Sequence, residues 1–123
     1  MGAMIRVVIA SLAVAALFVA PANATAPPVG PLPAGPTTLL SARAGKTFRV
    51  ALVRPKVAGR VWRIARPYDA RIVREVREGE TKTQIWLAFR ALHAGRTTLV
   101  FAQTRGETAH AYAARRFRVT VGR

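Results

Sequence analysis

The chain has 123 residues, with twenty lysines and arginines against five acids, and it contains no cysteine. This length accommodates one domain, and the lack of cysteine excludes disulfides, thiol chemistry and cysteine-ligated metal sites. The net charge of +15 favours anionic partners in general.

The first 24 residues have the three parts of a secretory signal peptide. Arg6 supplies a positive start, residues 7–20 are apolar apart from Ser11, and Ala22-Asn23-Ala24 has the form of a cleavage site. We expect cleavage after Ala24 and a periplasmic or secreted location. The apolar run is shorter than the roughly 20 residues of a membrane span, so we expect no membrane attachment after cleavage, with a retained anchor as the alternative.

Residues 25–36 contain five prolines and two glycines without any charge. That composition predicts an extended linker, and it places the folded domain at residues 37–123.

Short strands at regular intervals are predicted for the rest of the chain. They are β1 (38–41), β2 (47–53), β3 (61–65), β4 (70–76), β5 (84–89), β6 (97–103) and β7 (117–121). Residues 109–116 tolerate a helix by composition, and we expect them in the loop before β7.

Alternation of apolar and polar residues is clearest in β2 and β5. Phe48, Val50 and Leu52 share one face of β2, and Leu87 and Phe89 share one face of β5. The sequence therefore predicts an all-β fold, an immunoglobulin-like antiparallel β-sandwich of about seven strands held by its core without a disulfide.

Consecutive strands of such a sandwich reverse direction, so alternate loops emerge at the same end. The β2–β3 loop (54–60), the β4–β5 loop (77–83) and the β6–β7 loop (104–114) are therefore expected to cluster. Three adjacent loops on a rigid scaffold form a candidate binding surface.

Catalysis and specific nucleic-acid recognition receive little support. His93 and His110 fall at opposite ends of the predicted sandwich, and no nucleophile, phosphate-loop or metal-ligand motif is present in the sequence. The aromatic residues fall on inward positions, except Trp86, which leaves no platform for base stacking. We expect a non-enzyme without cofactor or metal.

The residues in and between these strands resemble the sequence pattern of the chagasin-type family of cysteine protease inhibitors. The similarity spans residues 44–121. It includes Ala44-Gly45-Lys46-Thr47 before β2, then Pro55, Gly59 and Trp62, Gly79, the run 86–95, Thr97-Thr98-Leu99, Arg105 and the β7 segment.

The resemblance implies a noncovalent mechanism in which the three clustered loops fill the active-site cleft of a papain-like cysteine protease. The residues it places in those loops are Pro55, Lys56, Val57, Ala58, Gly59, Arg60, Gly79, Glu80, Arg105, Gly106 and Glu107. Trp62 is expected in the core. Where the family has Arg-Pro-Trp in the β6–β7 loop, this chain has Arg105-Gly106-Glu107, without the aromatic. We expect a monomer with such a protease as its partner.

A second hypothesis rests on charge alone. Seventeen of the basic residues are arginine, and eight basic residues lie between Arg43 and Arg66, before the first acid, Asp69. The chain is then a binding module for an anionic partner, such as a polysaccharide, a lipopolysaccharide or an acidic protein. Genomic bias toward arginine on solvated strand faces explains the same composition without any function.

Overall fold

The computed structural model describes residues 28–123, which form seven strands in two sheets. The signal-peptide prediction and the start of the predicted linker lie outside these residues. The strands are β1 (Thr37–Arg43), β2 (Thr47–Val53), β3 (Arg60–Ile64), β4 (Val73–Glu80), β5 (Gln84–Ala91), β6 (Gly95–Arg105) and β7 (Ala111–Gly122).

One sheet has the order β1-β7-β6-β3 and the other the order β2-β5-β4. Four strand pairs are antiparallel, and β1 lies parallel to β7. β1 and β2 belong to different sheets, and the chain crosses between the sheets at Gly45, whose φ of 88° suits glycine. The prediction of an all-β, immunoglobulin-like sandwich is confirmed.

The core lies between the sheets and is built from the alternating positions of the strands. Leu52, Phe89 and Phe101 are almost completely buried, and Phe101 meets Phe117 edge to face at 5.8 Å between ring centroids. Trp62 is also buried, and its indole Nε1 donates a hydrogen bond of 2.8 Å to the carbonyl oxygen of Val53. The predicted core role of Trp62 is therefore confirmed, and the bond ties β3 to the end of β2.

β4 begins and ends later than its predicted range of 70–76. Residues 70–72 form a turn, because Asp69 accepts hydrogen bonds from the backbone N–H of Arg71 at its carboxylate and of Ile72 at its carbonyl. The strand then continues to Glu80, so the β4–β5 loop shrinks to residues 81–83.

β7 is much longer than predicted. Residues 111–116, expected in a loop and tolerant of a helix, pair with β6 as strand. Ala111 and Ala114 are buried there, because their small side chains leave room for a covering segment. The β6–β7 loop is thereby reduced to residues 106–110.

That covering segment is residues 28–36, which lie against the outer face of the larger sheet. Val29 is buried against Ala102 and Ala111, and the backbone N–H of Arg116 donates to the carbonyl of Pro36. The guanidinium of Arg66 donates to the carbonyls of Val29 and Gly30, at 3.0 Å each. Composition alone did not indicate this packing for the proline-rich segment.

Candidate functional site

The β2–β3, β4–β5 and β6–β7 loops meet at one end of the sandwich and are joined by backbone hydrogen bonds. The N–H of Arg54 donates to Thr83 O at 2.9 Å, which links the first loop to the second. The N–H of Gly106 donates to Gly59 O at 3.0 Å, which links the first loop to the third. The β2–β3 loop therefore lies in the middle, fastened on both sides.

Arg54 adds a side-chain link between the first two loops. Its guanidinium forms an ion pair with Glu80 and also donates to Thr81 O at 3.0 Å. Thr81 in turn accepts hydrogen bonds at its hydroxyl from the backbone N–H groups of Thr83 and Gln84, which closes the short β4–β5 turn. The ion pair is exposed, so it contributes more to loop position than to stability.

Two glycines shape the other junction. Gly59 and Gly106 have φ values of 86° and 58°, a backbone conformation that favours glycine. The Thr104 hydroxyl donates to Gly106 O at 2.5 Å, and Thr104 is fully buried. A hydrogen bond from a buried residue of β6 thus fixes the β6–β7 turn.

Arg63 reaches the same turn from β3. Its Nη1 donates to Thr108 O at 2.8 Å. Partial burial lowers the pKa of Arg63, and the nearby carboxylate of Glu107 opposes that shift. The contact with Thr108 ties β3 to the β6–β7 turn.

Apolar side chains are concentrated at this end. Five large apolar residues among residues 28–123 are exposed, and three of them lie here, namely Val53, Val57 and Tyr112. The guanidinium of Arg60 lies 3.9 Å from the centre of the Tyr112 ring, and His110 meets that ring edge to face at 4.6 Å. Tyr112 is thus an oriented aromatic on the loop surface.

Sequence reasoning did not single out Tyr112. The residue follows the predicted motif of the β6–β7 loop, and it reaches the surface because the register of β6 and β7 shifts between Gln103 and Thr104. Such a bulge redirects side chains and leaves no simple trace in sequence.

A cavity of about 450 Å³ lies beneath the β2–β3 loop. Its floor is apolar and includes Leu52, Ile85 and Phe101, while Arg54 and Glu80 line it from the loop side. The loop is consequently supported by its ends and its hydrogen bonds rather than by dense packing below it.

The predicted site residues are distributed unevenly over this end. Pro55 to Gly59 form the central loop, Arg60 begins β3, Arg105 ends β6, and Gly106 and Glu107 lie in the third loop. Glu80 is the last residue of β4 and reaches the loops through Arg54.

Gly79 was placed in a loop by sequence, and that placement is wrong. It lies within β4, paired with Trp86 on the outer face of the smaller sheet. A Cβ at Gly79 would come within 2.3 Å of the Trp86 ring. The glycine makes room for an indole and does not form part of the loop surface.

The two histidines are not brought together, since the length of β6 separates His93 from His110. Within residues 28–123, no group of three or more acidic or histidine side chains is placed to hold a metal ion. The same residues contain no helix that could cross a membrane.

A solved structure shares this architecture. The crystal structure of the cysteine protease inhibitor EhICP2 from Entamoeba histolytica superposes with a TM-score of 0.54 at 13% sequence identity, covering 70% of this chain and 95% of that one. No known protein-family profile matches the sequence. No curated protein sequence matches it either. The likeness is one of fold.

Proposed function

We propose that this protein is an exported, noncovalent inhibitor of papain-like cysteine proteases and a divergent relative of the chagasin-type family. In this proposal the clustered loops enter the active-site cleft of the protease and exclude substrate. The fold shared with a cysteine protease inhibitor supports the proposal, as does the resemblance of residues 44–121.

The observation that carries the proposal is the fastening of the β2–β3 loop between its two neighbours. Backbone hydrogen bonds from Arg54 and Gly106 fix both ends of the loop. Binding by a loop that is already ordered loses little conformational entropy, which favours affinity without a covalent bond.

Val57 and Tyr112 are the contacts we assign to the protease. Val57 is 51% exposed at the tip of the central loop, and Tyr112 is 39% exposed beside it. Tyr112 supplies, from the start of β7, the aromatic that Arg105-Gly106-Glu107 lacks. A few residues that become fully buried, most often aromatic ones such as tyrosine, provide most of the binding energy at protein interfaces.

Export rests on the signal-peptide pattern of residues 1–24. A secreted or periplasmic inhibitor meets proteases outside the cytoplasm, and a chain without cysteine has no thiol to exchange with the protease nucleophile. The inhibition we propose therefore involves no mixed disulfide with that nucleophile.

Titration of papain and a cathepsin with the purified 123-residue chain tests the proposal, using hydrolysis of a fluorogenic peptide as the readout. We expect inhibition near one equivalent that is relieved by dilution. Val57→Asp places an unpaired charge in the interface and is expected to raise the inhibition constant about 30-fold or more, the equivalent of about 2 kcal/mol.

Leu39→Asp is the matched control, because Leu39 is 72% exposed on β1, away from the loops. It introduces the same charge and is expected to leave inhibition unchanged. Wild-type chain that fails to inhibit several papain-like proteases contradicts the proposal. Equal losses in the two variants contradict the assignment of Val57.

A further inference from the structure

The outer face of the smaller sheet carries four exposed arginines and no acidic residue. Arg49 on β2, Arg90 on β5, and Arg74 and Arg77 on β4 are all exposed. The register places Arg74 opposite Arg90, and it places Arg49 and Arg77 on either side of Ala88. We refer to these four residues as the arginine face.

A β-bulge in β4 produces this sorting of charge. The register shifts between Glu75 and Arg77, so that Arg77 pairs with Ala88 and Glu78 pairs with Leu87, whose side chain is buried. Regular alternation without the bulge would turn Arg77 inward and Glu78 outward. The bulge therefore places arginines on one side of β4 and glutamates on the other.

The charges of the arginine face are not neutralised within the described part of the chain. The guanidinium groups of Arg74, Arg77 and Arg90 form no hydrogen bond or ion pair with residues 28–123, and the guanidinium of Arg49 makes only its contact with Trp86. Like charges directly opposite each other on neighbouring strands repel, as Arg74 and Arg90 do here. A bound polyanion would remove that repulsion.

Trp86 helps to decide which polyanion fits. Gly79 lies against the Trp86 ring, and the guanidinium of Arg49 lies over the ring at 3.9 Å from its centre. A nucleic-acid base would have to displace that guanidinium in order to stack on this face of the indole. Recognition here depends on charge and on the geometry of the guanidinium groups.

We propose that the arginine face binds a linear acidic polysaccharide, whose carboxylate or sulfate groups pair with these guanidinium groups. The planar fork of an arginine matches such groups with two parallel hydrogen bonds. Arg74 and Arg90 lie about 5 Å apart on neighbouring strands, whereas Arg49 and Arg77 are two strand spacings, about 10 Å, apart. Charges distributed over three strands in this way suit an extended polymer better than a single small anion. This surface is separate from the loops, so the inference does not depend on protease inhibition.

Isothermal titration of the full chain with polygalacturonate, at about 20 mM and about 200 mM salt, tests the proposal. We expect binding that weakens steeply with salt. The combined variant R74Q/R77Q/R90Q is expected to weaken binding about tenfold or more. The control variant R43Q/R96Q/R118Q removes three exposed arginines from the other sheet and is expected to retain most of the affinity.

The outcomes separate the possible partners. Equal losses in the two variants attribute binding to net charge and overturn the proposal, as does a wild-type chain that does not bind polygalacturonate. Tighter binding to a thymidine oligonucleotide, or to vesicles of phosphatidylcholine with phosphatidylglycerol, also overturns it.

The single variant Arg74→Gln relieves repulsion with Arg90, so we expect it to fold at least as stably as wild type while it weakens binding.

Discussion

Gly79 lies opposite Trp86 in the β4–β5 pair, and the missing side chain of the glycine leaves room for the indole ring. The backbone at Gly79 is ordinary strand, so the glycine is required by space rather than by conformation. Trp86 in turn lies under Arg49, so this pair of residues also fixes one guanidinium of the arginine face.

We predict that Gly79→Ala lowers the free energy of unfolding by about 1–3 kcal/mol, because its Cβ would lie 2.3 Å from Trp86 Cζ2. Urea denaturation measures the change. Gly122→Ala is the control, since no atom lies within 4 Å of a Cβ built there, and it is expected to change stability by less than about 0.5 kcal/mol. In a Trp86→Leu background the cost of Gly79→Ala should largely disappear; an unchanged cost would contradict the steric explanation.

At the scale of a structural element, residues 28–36 pack as one segment on the larger sheet. The segment crosses the outer face of the larger sheet at its alanine-lined part, where Ala102 and Ala114 are completely or almost completely buried. Close approach is possible only where side chains are small on both sides. Gly35 supplies the space from the segment, because a Cβ there would lie 2.0 Å from the carbonyl oxygen of Ala114.

We predict that Gly35→Ala displaces this segment without unfolding the sandwich. The backbone N–H of Arg116 donates to Pro36 O, and its hydrogen exchange is expected to accelerate about tenfold or more when that bond is broken. Amide exchange followed by NMR measures this. Gly30→Ala tests the same segment with only an ordinary contact, 3.4 Å to Ala109 O, and is expected to leave exchange at Arg116 unchanged. Slow exchange in both variants would refute the close-approach argument.

Alternation of apolar residues predicted the strands of the core, because each inward side chain is set by the two-residue period of a strand. The inward positions of Phe48, Val50 and Leu52 and the outward position of Trp86 agree with the structure. The period fails where pairing is irregular. The bulges beside Val76 and Tyr112 alter which side chains reach the surface, and the register of each strand with its hairpin neighbour determines where they occur.

The prediction for β7 failed for a related reason. Alanine-rich residues 111–116 show no strong preference of their own, and they become strand because β6 and residues 28–36 pack against them. Local propensity is overridden by tertiary contacts in such stretches. For the candidate site, topology predicted which loops lie together. The contribution of Tyr112 could not be predicted, because it depends on the bulge between β6 and β7.

At the scale of the whole molecule, the strand geometry that exposes the arginines of β4 also places a carboxyl group in the interior, which lowers the stability of the folded protein when that group is charged. The sorting that exposes Arg74 and Arg77 turns Glu75 inward, opposite Phe89, and its Oε1 has no hydrogen-bond partner among residues 28–123. Burial, and then the charge of Glu78, raise the pKa of Glu75 to about 8. Burial also raises the pKa of the neighbouring Tyr68 to about 12, with a further contribution from Glu75.

Stability is therefore predicted to fall as the pH rises across the neutral range. The Glu75 carboxyl titrates near its ordinary pKa of 4.5 in the unfolded chain and near 8 in the folded one, so the folded state holds the proton more tightly between these values. The stabilisation is fully present below about pH 4.5 and is lost as the pH passes 8. Asp69 has a lowered pKa and Tyr68 a raised one, so both titrate outside this interval.

Glu75→Gln removes the titrating group and should abolish most of this dependence. We expect the thermal midpoint of the variant to exceed that of wild type by about 4 °C or more at pH 8.5, and to lie close to it at pH 4.5. Scanning calorimetry across the interval measures both. Glu107→Gln also removes one carboxyl, but from an exposed loop, and should follow the wild-type curve. A wild-type midpoint that stays level from pH 5 to 9 would show that Glu75 is solvated in the folded protein, and the inward placement of β4 acids would then carry no energetic cost.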